Sequence, residues 1–283
     1  MDKRVLLPTD FSKNALNAIR YALDLYKDQS CEFYLLNAFQ VDGFSLDNHM
    51  MVPEPGEMAF EAAKKESEEG LAKLMDIIEL HHDNAKHTMH PISTYNSLLY
   101  AIKDTIAKYD VDIVVMGTKG YTGAESVIFG TNTVNVMEQV TESPILAIPE
   151  NVRFSAPKEI VFPTDYKSNF KRKELKYLLE IAKYHNAFIR VLHIVKEPDL
   201  NKTQQSNKEL LESILNGYDH SYHNLSDLKV PSGISAFVES RGSDMIAFIN
   251  KKHGLFDHIW SKPLAKEIGY HSKIPVLTMH EAK

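Results

Sequence analysis

Two stretches of this 283-residue chain are near copies of one another, and no other feature limits the possible fold as much. Residues 4–11 read Arg-Val-Leu-Leu-Pro-Thr-Asp-Phe, and residues 159–166 read Glu-Ile-Val-Phe-Pro-Thr-Asp-Tyr. Each is a short apolar run stopped by Pro-Thr-Asp. The two halves also close alike, with Ser143-Pro-Ile-Leu-Ala-Ile148 matching Lys273-Ile-Pro-Val-Leu-Thr-Met279. A repeat of this period, in a chain long enough for two domains of roughly 100–150 residues, predicts one unit over 1–150 and another over 158–283. Residues 151–157 (Asn-Val-Arg-Phe-Ser-Ala-Pro) read as the linker.

Within each unit, strand-like runs alternate with helical spacing. Ala15, Ala18, Ile19, Ala22, Leu23 and Tyr26 fall on one helical face, and Glu32–Ala38 is a buried-strand run. Leu71, Leu74, Met75 and Ile78 mark a second helix, and Leu98, Ala101, Ile102 and Ile106 a third, before the strand Asp112–Met116. The second unit answers with Leu175, Leu178, Leu179 and Ala182 on a helix and Phe188–His193 as a strand. Near-continuous apolar strands alternating with helices predict an α/β fold, an open, mostly parallel Rossmann-like sheet with helices on both faces. Residues 42–60, with two Gly, two Pro and three Met among them, read as an irregular loop. The closing strands Ile145–Ile148 and Val276–Met279 are apolar edges that need covering, so they are expected to pair antiparallel about a pseudo-twofold axis.

Chemistry concentrates after the Asp112–Met116 strand, where the chain reads Gly117-Thr-Lys119-Gly120, then nine residues, then Gly130-Thr131-Asn132-Thr133 before a helical stretch. Glycines directly after a buried strand let backbone N–H groups approach an anion, and a helix opening at Gly130-Thr131 offers free N–H groups and a favourable dipole. Thr131 and Thr133 add hydroxyls. Asp10 ends the first strand and this loop ends the fourth; in an open parallel sheet such strand ends are neighbours where ligands bind.

These residues resemble the universal stress protein family: Pro8-Thr9-Asp10 at the first strand end, Met116-Gly117-x2-Gly120-x9-Gly130-Thr131 after the fourth, and a closing Ser-Pro-Ile-Leu strand. The resemblance covers almost the whole chain as two copies, and it implies two tandem domains of the adenine nucleotide alpha hydrolase-like type. It further implies that the first half binds ATP, or AMP or ADP; because the motif offers few cationic side chains beyond Lys119, Mg2+ is expected to assist binding of the triphosphate. In ATP-binding members the aspartate lies by the adenosine, the residue after Leu-Leu-x of the second strand meets adenine, and the glycine motif holds phosphates and ribose. Residue by residue this nominates Pro8, Thr9, Asp10, Ala38, Met116, Gly117, Gly120, Gly130, Thr131, Asn132 and Thr133, with Lys119 as a departure that adds a phosphate contact or is simply solvated. Family dimers resemble the pseudo-dimer expected inside this chain, and a homodimer stays open.

The second half keeps Pro163-Thr164-Asp165 but not the glycine motif. Only Gly254 remains, followed by Phe256, Ile259 and Trp260, and Lys262-Pro263 stands where the first half has Gly-Thr. Aligning Ser243 with Ser97 leaves this half about eleven residues where the first spends about twenty, too few for a parallel crossover plus a strand. The reading is a shortened domain: a strand at Ile234–Glu239, a helix at about 243–252, and the fourth strand lost or moved to Leu255–Trp260. Asp165 is then expected to cap the following helix or to meet Lys167 or Arg172.

Other features narrow the function. A single Cys31, opening an apolar run, is a buried thiol in a reducing compartment. No apolar run approaches the roughly 18 residues of a membrane span, and no signal core is seen, so the expectation is a cytoplasmic protein acting on neither membrane nor nucleic acid. The net charge of −6 divides into −11 for residues 1–150 and +5 for 151–283. That is either two solvated faces, or halves that attract each other, or a second half that meets an anionic partner. His81, His82, His87, His90, His220, His223, His253 and His258 lack zinc spacing and read as surface residues. Walker, pyrophosphatase, nucleotidyltransferase and nucleophile-elbow motifs are missing, which argues for nucleotide binding in stress response or signalling with at most weak ATP hydrolysis. A non-nucleotide scaffold, or an enzyme on an adenylated or phosphorylated compound with Asp10 and Lys119 near the chemistry, remain the alternatives.

Overall fold

The computed structural model describes residues 2–41, 44–46, 49–51, 53–82, 84–118, 130–195, 199–226, 228–250 and 274–281. In the first half the chain runs β1 (Lys3–Pro8), α1 (Lys13–Leu25), β2 (Cys31–Phe39), the short β3 (Phe44–Leu46) and β4 (His49–Met51), then α2 (Met58–His81). It continues through β5 (His87–Tyr95), α3 (Leu98–Tyr109), β6 (Ile113–Gly117), α4 (Thr131–Gln139) and β7 (Ile145–Ile148). The second half supplies β8 (Glu159–Pro163), α5 (Lys176–His185), β9 (Phe188–Val195), α6 (Lys202–Leu215), β10 (His220–Ser226), α7 (Val230–Arg241), β11 (Met245–Asn250) and β12 (Val276–His280).

Ten strands form one sheet in the order β10-β9-β8-β11-β12-β7-β6-β1-β2-β5. The order reads the same from either edge, as two five-stranded sets each wound third, second, first, fourth, fifth. Every neighbouring pair is parallel except the middle one: β7 and β12 run antiparallel, with Leu146 opposite Leu277. The closing strands therefore cover each other about a pseudo-twofold axis, as the sequence predicts.

Period-two alternation splits the strands between two cores. Val5, Leu7, Phe33 and Leu35 point into a layer filled by α1, α2, α5 and α6, whereas Leu6, Tyr34 and Leu36 point to the face covered by α3, α4 and α7. Hydrogen bonds repeat between the halves as well. Asp112 accepts the Arg4 N–H through its carboxylate (3.0 Å), and Asp244 accepts the Glu159 N–H in the same way (2.9 Å). Val114 and Ile246 donate to the carbonyls of Pro144 and Pro275, both at 3.0 Å.

The structure corrects the sequence reading of the second half. Ile234–Glu239 is not a strand but lies in α7, and 243–252 is not a helix, because Met245–Asn250 is β11, the counterpart of β6. Ile234, Phe237 and Val238 are buried at helical spacing, Pro231 sits in the first turn, and Gly242 ends the helix at φ +65°. Fifteen residues separate the starts of α3 and β6, and the same number separate α7 and β11. This segment is not shortened; the loss lies earlier, where α6 has 14 residues against 24 in α2. Residues 42–60 are likewise not uniformly irregular, since β3 and β4 pair antiparallel and α2 begins at Met58. The proposed strand Leu255–Trp260, with Gly254 and Lys262-Pro263, lies outside the described residues.

Candidate functional site

The carboxyl end of β1 turns sharply. Thr9 N–H donates to the Leu36 carbonyl on β2 (2.8 Å), the Thr9 hydroxyl accepts the Phe11 N–H (3.0 Å), and the Asp10 carboxylate accepts the Ser12 N–H (3.1 Å). Phe11 takes φ +61°, an uncommon conformation for a side chain branching to a ring. Ser12 then caps α1 by accepting the Ala15 N–H (3.1 Å). The Asn37 amide ties β2 to this turn by donating to the Thr9 carbonyl (2.7 Å).

Beside the turn, β6 delivers Met116 and Gly117 to the same sheet edge, since β1 and β6 are parallel neighbours. A Cβ on Gly117 would lie 2.9 Å from the Asn14 amide group, so a side chain there must push α1 away. Helix α4 starts close by. Gly130 occupies its N-cap without any side chain to cap it, so the N–H groups of its first turn have no intrahelical acceptor. Gly130 itself donates to the Thr118 carbonyl (2.6 Å).

These elements enclose a cleft of about 160 Å3. Eight of the sequence-nominated residues line it: Pro8, Thr9, Asp10, Ala38, Met116, Gly117, Asn132 and Thr133. Gly130 and Thr131 form the adjoining helix start, and Lys119 and Gly120 lie outside the described residues. The volume is below the ~300–1,000 Å3 of pockets for drug-sized ligands; residues 119–129, which follow Thr118 along the chain, are not among those described. Sequence reasoning missed Ala15, Asn37 and Leu98 in the wall. Asn37 was legible as the x of Leu-Leu-x, whereas Leu98 looked like ordinary helix core. One nominated role is corrected: the Thr133 hydroxyl is not a spare donor, because it donates to the carbonyls of Gly117 (3.0 Å) and Thr118 (3.2 Å) and pins α4 to the end of β6. Among the described lining residues, Asp10 is the one ionisable side chain.

The second half repeats the turn atom for atom. Thr164 accepts the Tyr166 N–H (3.1 Å), Asp165 accepts the Lys167 N–H (3.0 Å), and Tyr166 takes φ +54°. His193 replaces Asn37, its Nδ1 lying 2.8 Å from the Thr164 carbonyl. The walls differ. By strand register Ile194 stands for Ala38, Phe248 for Met116 and Ile249 for Gly117. Ile194 packs so closely on α7 that a Cβ on Gly233 would meet its Cδ1 at 2.8 Å. Asp165 has the Lys167 amine at 4.0 Å but does not cap α5, whose N-cap is Leu175 without a side-chain bond. Arg172 instead donates to the Ile214 carbonyl (3.2 Å).

Three further readings meet the structure here. Burial pushes the Cys31 thiol up to about 12, so it is an unreactive core group. Ion pairs between halves run both ways, Lys3 to Glu180 (2.6 Å) and Lys176 to Asp112 (3.8 Å), so the charge imbalance is not matched by one-sided attraction. The β5 histidines are not simple surface residues: His87 packs edge-on against Phe33 (4.9 Å) and His90 stacks on Tyr34 (4.9 Å). Among the described residues no three His, Cys, Asp or Glu side chains come together as a metal site, and no helix is long and apolar enough to cross a membrane.

An open α/β sheet with a cleft at the carboxyl ends of its first and fourth strands defines the class of doubly wound ligand-binding folds. Within that class the family is settled by comparison. Residues 1–149 match the family model described as "Universal stress protein family", so the chain belongs to the universal stress proteins. Universal stress protein MJ0531 of Methanocaldococcus jannaschii is 26% identical over 148 residues, covering 52% of this chain and 81% of that one. A universal stress protein structure from Archaeoglobus fulgidus matches 99% of this chain and 97% of its own with a TM-score of 0.72 at 17% identity. A putative universal stress protein from Pseudomonas aeruginosa covers 99% and 93% with a TM-score of 0.62 at 11% identity. At those identities the two structures bear on the fold alone.

Proposed function

We propose that the first half binds one adenine nucleotide per chain, ATP or its AMP and ADP relatives, and that the protein works in stress response or signalling by binding rather than turnover. One observation carries this reading: Pro8-Thr9-Asp10, Ala38 and Met116-Gly117 converge with the start of α4 on a single cleft, at the point where the strand order reverses. In this reading the base lies against Ala38, Leu98 and Met116, and Asp10 accepts from the sugar hydroxyls. The phosphates extend toward the N-terminus of α4, where helix N–H groups favour anions, with Lys119 and Gly120 as the further candidates from the motif. The described lining contributes no cationic side chain, so Mg2+ is expected to tighten triphosphate binding by neutralising its charge. The second half is silent because Ile194 and Ile249 fill what Ala38 and Gly117 leave open.

Titration calorimetry of the intact protein with ATP, with and without Mg2+, tests the proposal. The expected result is one site per chain, lost in Gly130→Trp while the fold persists. Two equivalent sites, or binding that survives Gly130→Trp, would overturn it, and no binding at all would favour the scaffold.

A further inference from the structure

The pseudo-twofold relation gives each groove a counterpart, and one pair of counterparts differs in what fills it. On the first half, the chain leaving β7 crosses α1 and packs there. The Asn17 amide donates to the carbonyls of Pro149 (3.3 Å) and Val152 (2.8 Å), and the Arg153 guanidinium donates to the Asn17 side-chain oxygen. The Phe154 ring meets Tyr21 edge-on at 5.2 Å, and Val152 and Phe154 join the hydrophobic core.

Counting back from the helix ends at Tyr26 and Asn186, Tyr177 stands for Asn17 and Ile181 for Tyr21 on α5. No described segment crosses α5 there. A trough remains instead, made of two cavities with separate linings: Tyr177, which lines one, donates to Asp112 (3.4 Å) and lies under the Lys3 amine (5.1 Å), and both of those line the other. One, of about 260 Å3, lies between Tyr177 and the end of β12 at His280 and Glu281. The other, of about 670 Å3, lies between Ile181 and the start of β1 at Asp2 and Lys3.

We propose that this trough docks an extended peptide segment of a partner protein, in which a basic residue precedes an aromatic one. The molecule holds such a segment, Val152-Arg153-Phe154, in the equivalent place on α1. Charge favours the same sequence. Lys3 and Lys176 inside the trough are already engaged by Glu180 and Asp112, and Arg4 by Asp110; the rest of the lining sets the carboxylates of Asp2, Glu142, Glu174 and Glu281 against Lys173 and Lys183, an excess of acid over base. The partly buried rings of Tyr177 and Tyr184 stand in its wall, where an aromatic ring can pack on them. The trough opens at the amino ends of β1 and β6, opposite the nucleotide cleft, so the inference does not rest on nucleotide binding.

The probe is a fluorescein-labelled octapeptide with the sequence of residues 150–157, titrated with the intact protein and followed by anisotropy. Saturable binding is expected, at least tenfold weaker when Phe154→Ala or Arg153→Glu is made in the peptide. The same loss is expected when Asp2→Lys and Glu281→Lys are combined in the protein; both side chains are exposed, so the fold is preserved. Failure to saturate at millimolar protein would overturn the proposal, as would binding indifferent to the rim charges. Loss of binding in Asn17→Ala with no effect of the rim pair would also overturn it, since the peptide would then be displacing the linker.

Discussion

Glu159 opens β8 at the position that Arg4 holds in β1, and its carboxylate accepts four side-chain hydrogen bonds. Arg241 forks onto it at 2.7 and 2.8 Å, Arg190 donates at 2.7 Å, and the Ser243 hydroxyl at 2.8 Å. These donors, Arg241 foremost, outweigh the burial that opposes them and hold the carboxyl at about 2 rather than the usual 4.5. At about 1.36 kcal/mol per pH unit the gap is worth about 3 kcal/mol at most, and about 2 kcal/mol once the third of Arg241 open to solvent is allowed for. Since the folded value lies below the unfolded one, the unfolded chain takes the proton first as pH falls. The contribution is complete above about pH 4.5 and lost on the way to pH 2, with a little under half of it gone by about pH 3.5. Urea unfolding of the parent and Glu159→Gln at pH 7, 5 and 3.5 checks this. The variant should be less stable by about 2–3 kcal/mol at pH 7 and should lose less on acidification, so that the two curves converge. Parallel curves would show that the arginine cluster does not hold the charge and would refute the reasoning.

Asp10→Ala should weaken nucleotide binding by about 1.5–3 kcal/mol, whereas Asp165→Ala should leave affinity alone; each carboxylate accepts the same turn N–H, so each variant is expected to cost about 1 kcal/mol of stability, and calorimetry and denaturation on both decide it. Equal affinity losses would mean that the second half also binds. Ala38→Ile copies the second half's Ile194 into the first and is expected to lower ATP affinity at least 100-fold, about 2.7 kcal/mol, in the same titration; unchanged affinity would move the base elsewhere. The Thr278 hydroxyl is fully buried at the seam without a hydrogen-bond partner, so Thr278→Val should raise unfolding stability by about 1 kcal/mol, read from the urea midpoint at constant slope.

How much of this was legible follows from how each element signals itself. The central strands and α1 are buried on the faces that their periodicity names, and Pro-Thr-Asp marks a strand end in both halves because the turn needs those hydroxyl and carboxylate acceptors. The seam could be foreseen because two apolar edges in one chain have to find partners. The edge strands were illegible. β5 reads His-Thr-Met-His-Pro-Ile-Ser-Thr-Tyr and β10 reads His-Ser-Tyr-His-Asn-Leu-Ser; each is flanked by a strand on one side only, so neither needs a continuous apolar run. Missing β10 pulled Ile234–Glu239 into its place, and that single slip turned α7 into a strand, β11 into a helix and an intact crossover into a deletion.

The candidate site was legible to the extent that it is made of backbone-specific residues and illegible where ordinary side chains do the work. Gly117 and Asp10 announce themselves, but the difference between an open and a filled cleft lies in Ala38 against Ile194, two unremarkable apolar residues in equivalent strands. The turn around Asp165 is as well formed as the turn around Asp10, with the same two hydrogen bonds and the same positive φ at the following aromatic residue. The turn therefore cannot be what separates the two halves. What separates them is volume at the neighbouring strand ends: a methyl at Ala38 and no side chain at Gly117 on one side, two sec-butyl groups on the other, one of them already pressed against Gly233. The turn persists in both halves because it starts the chain toward α1 and α5, a structural task independent of any ligand, while the wall residues are free to diverge with function.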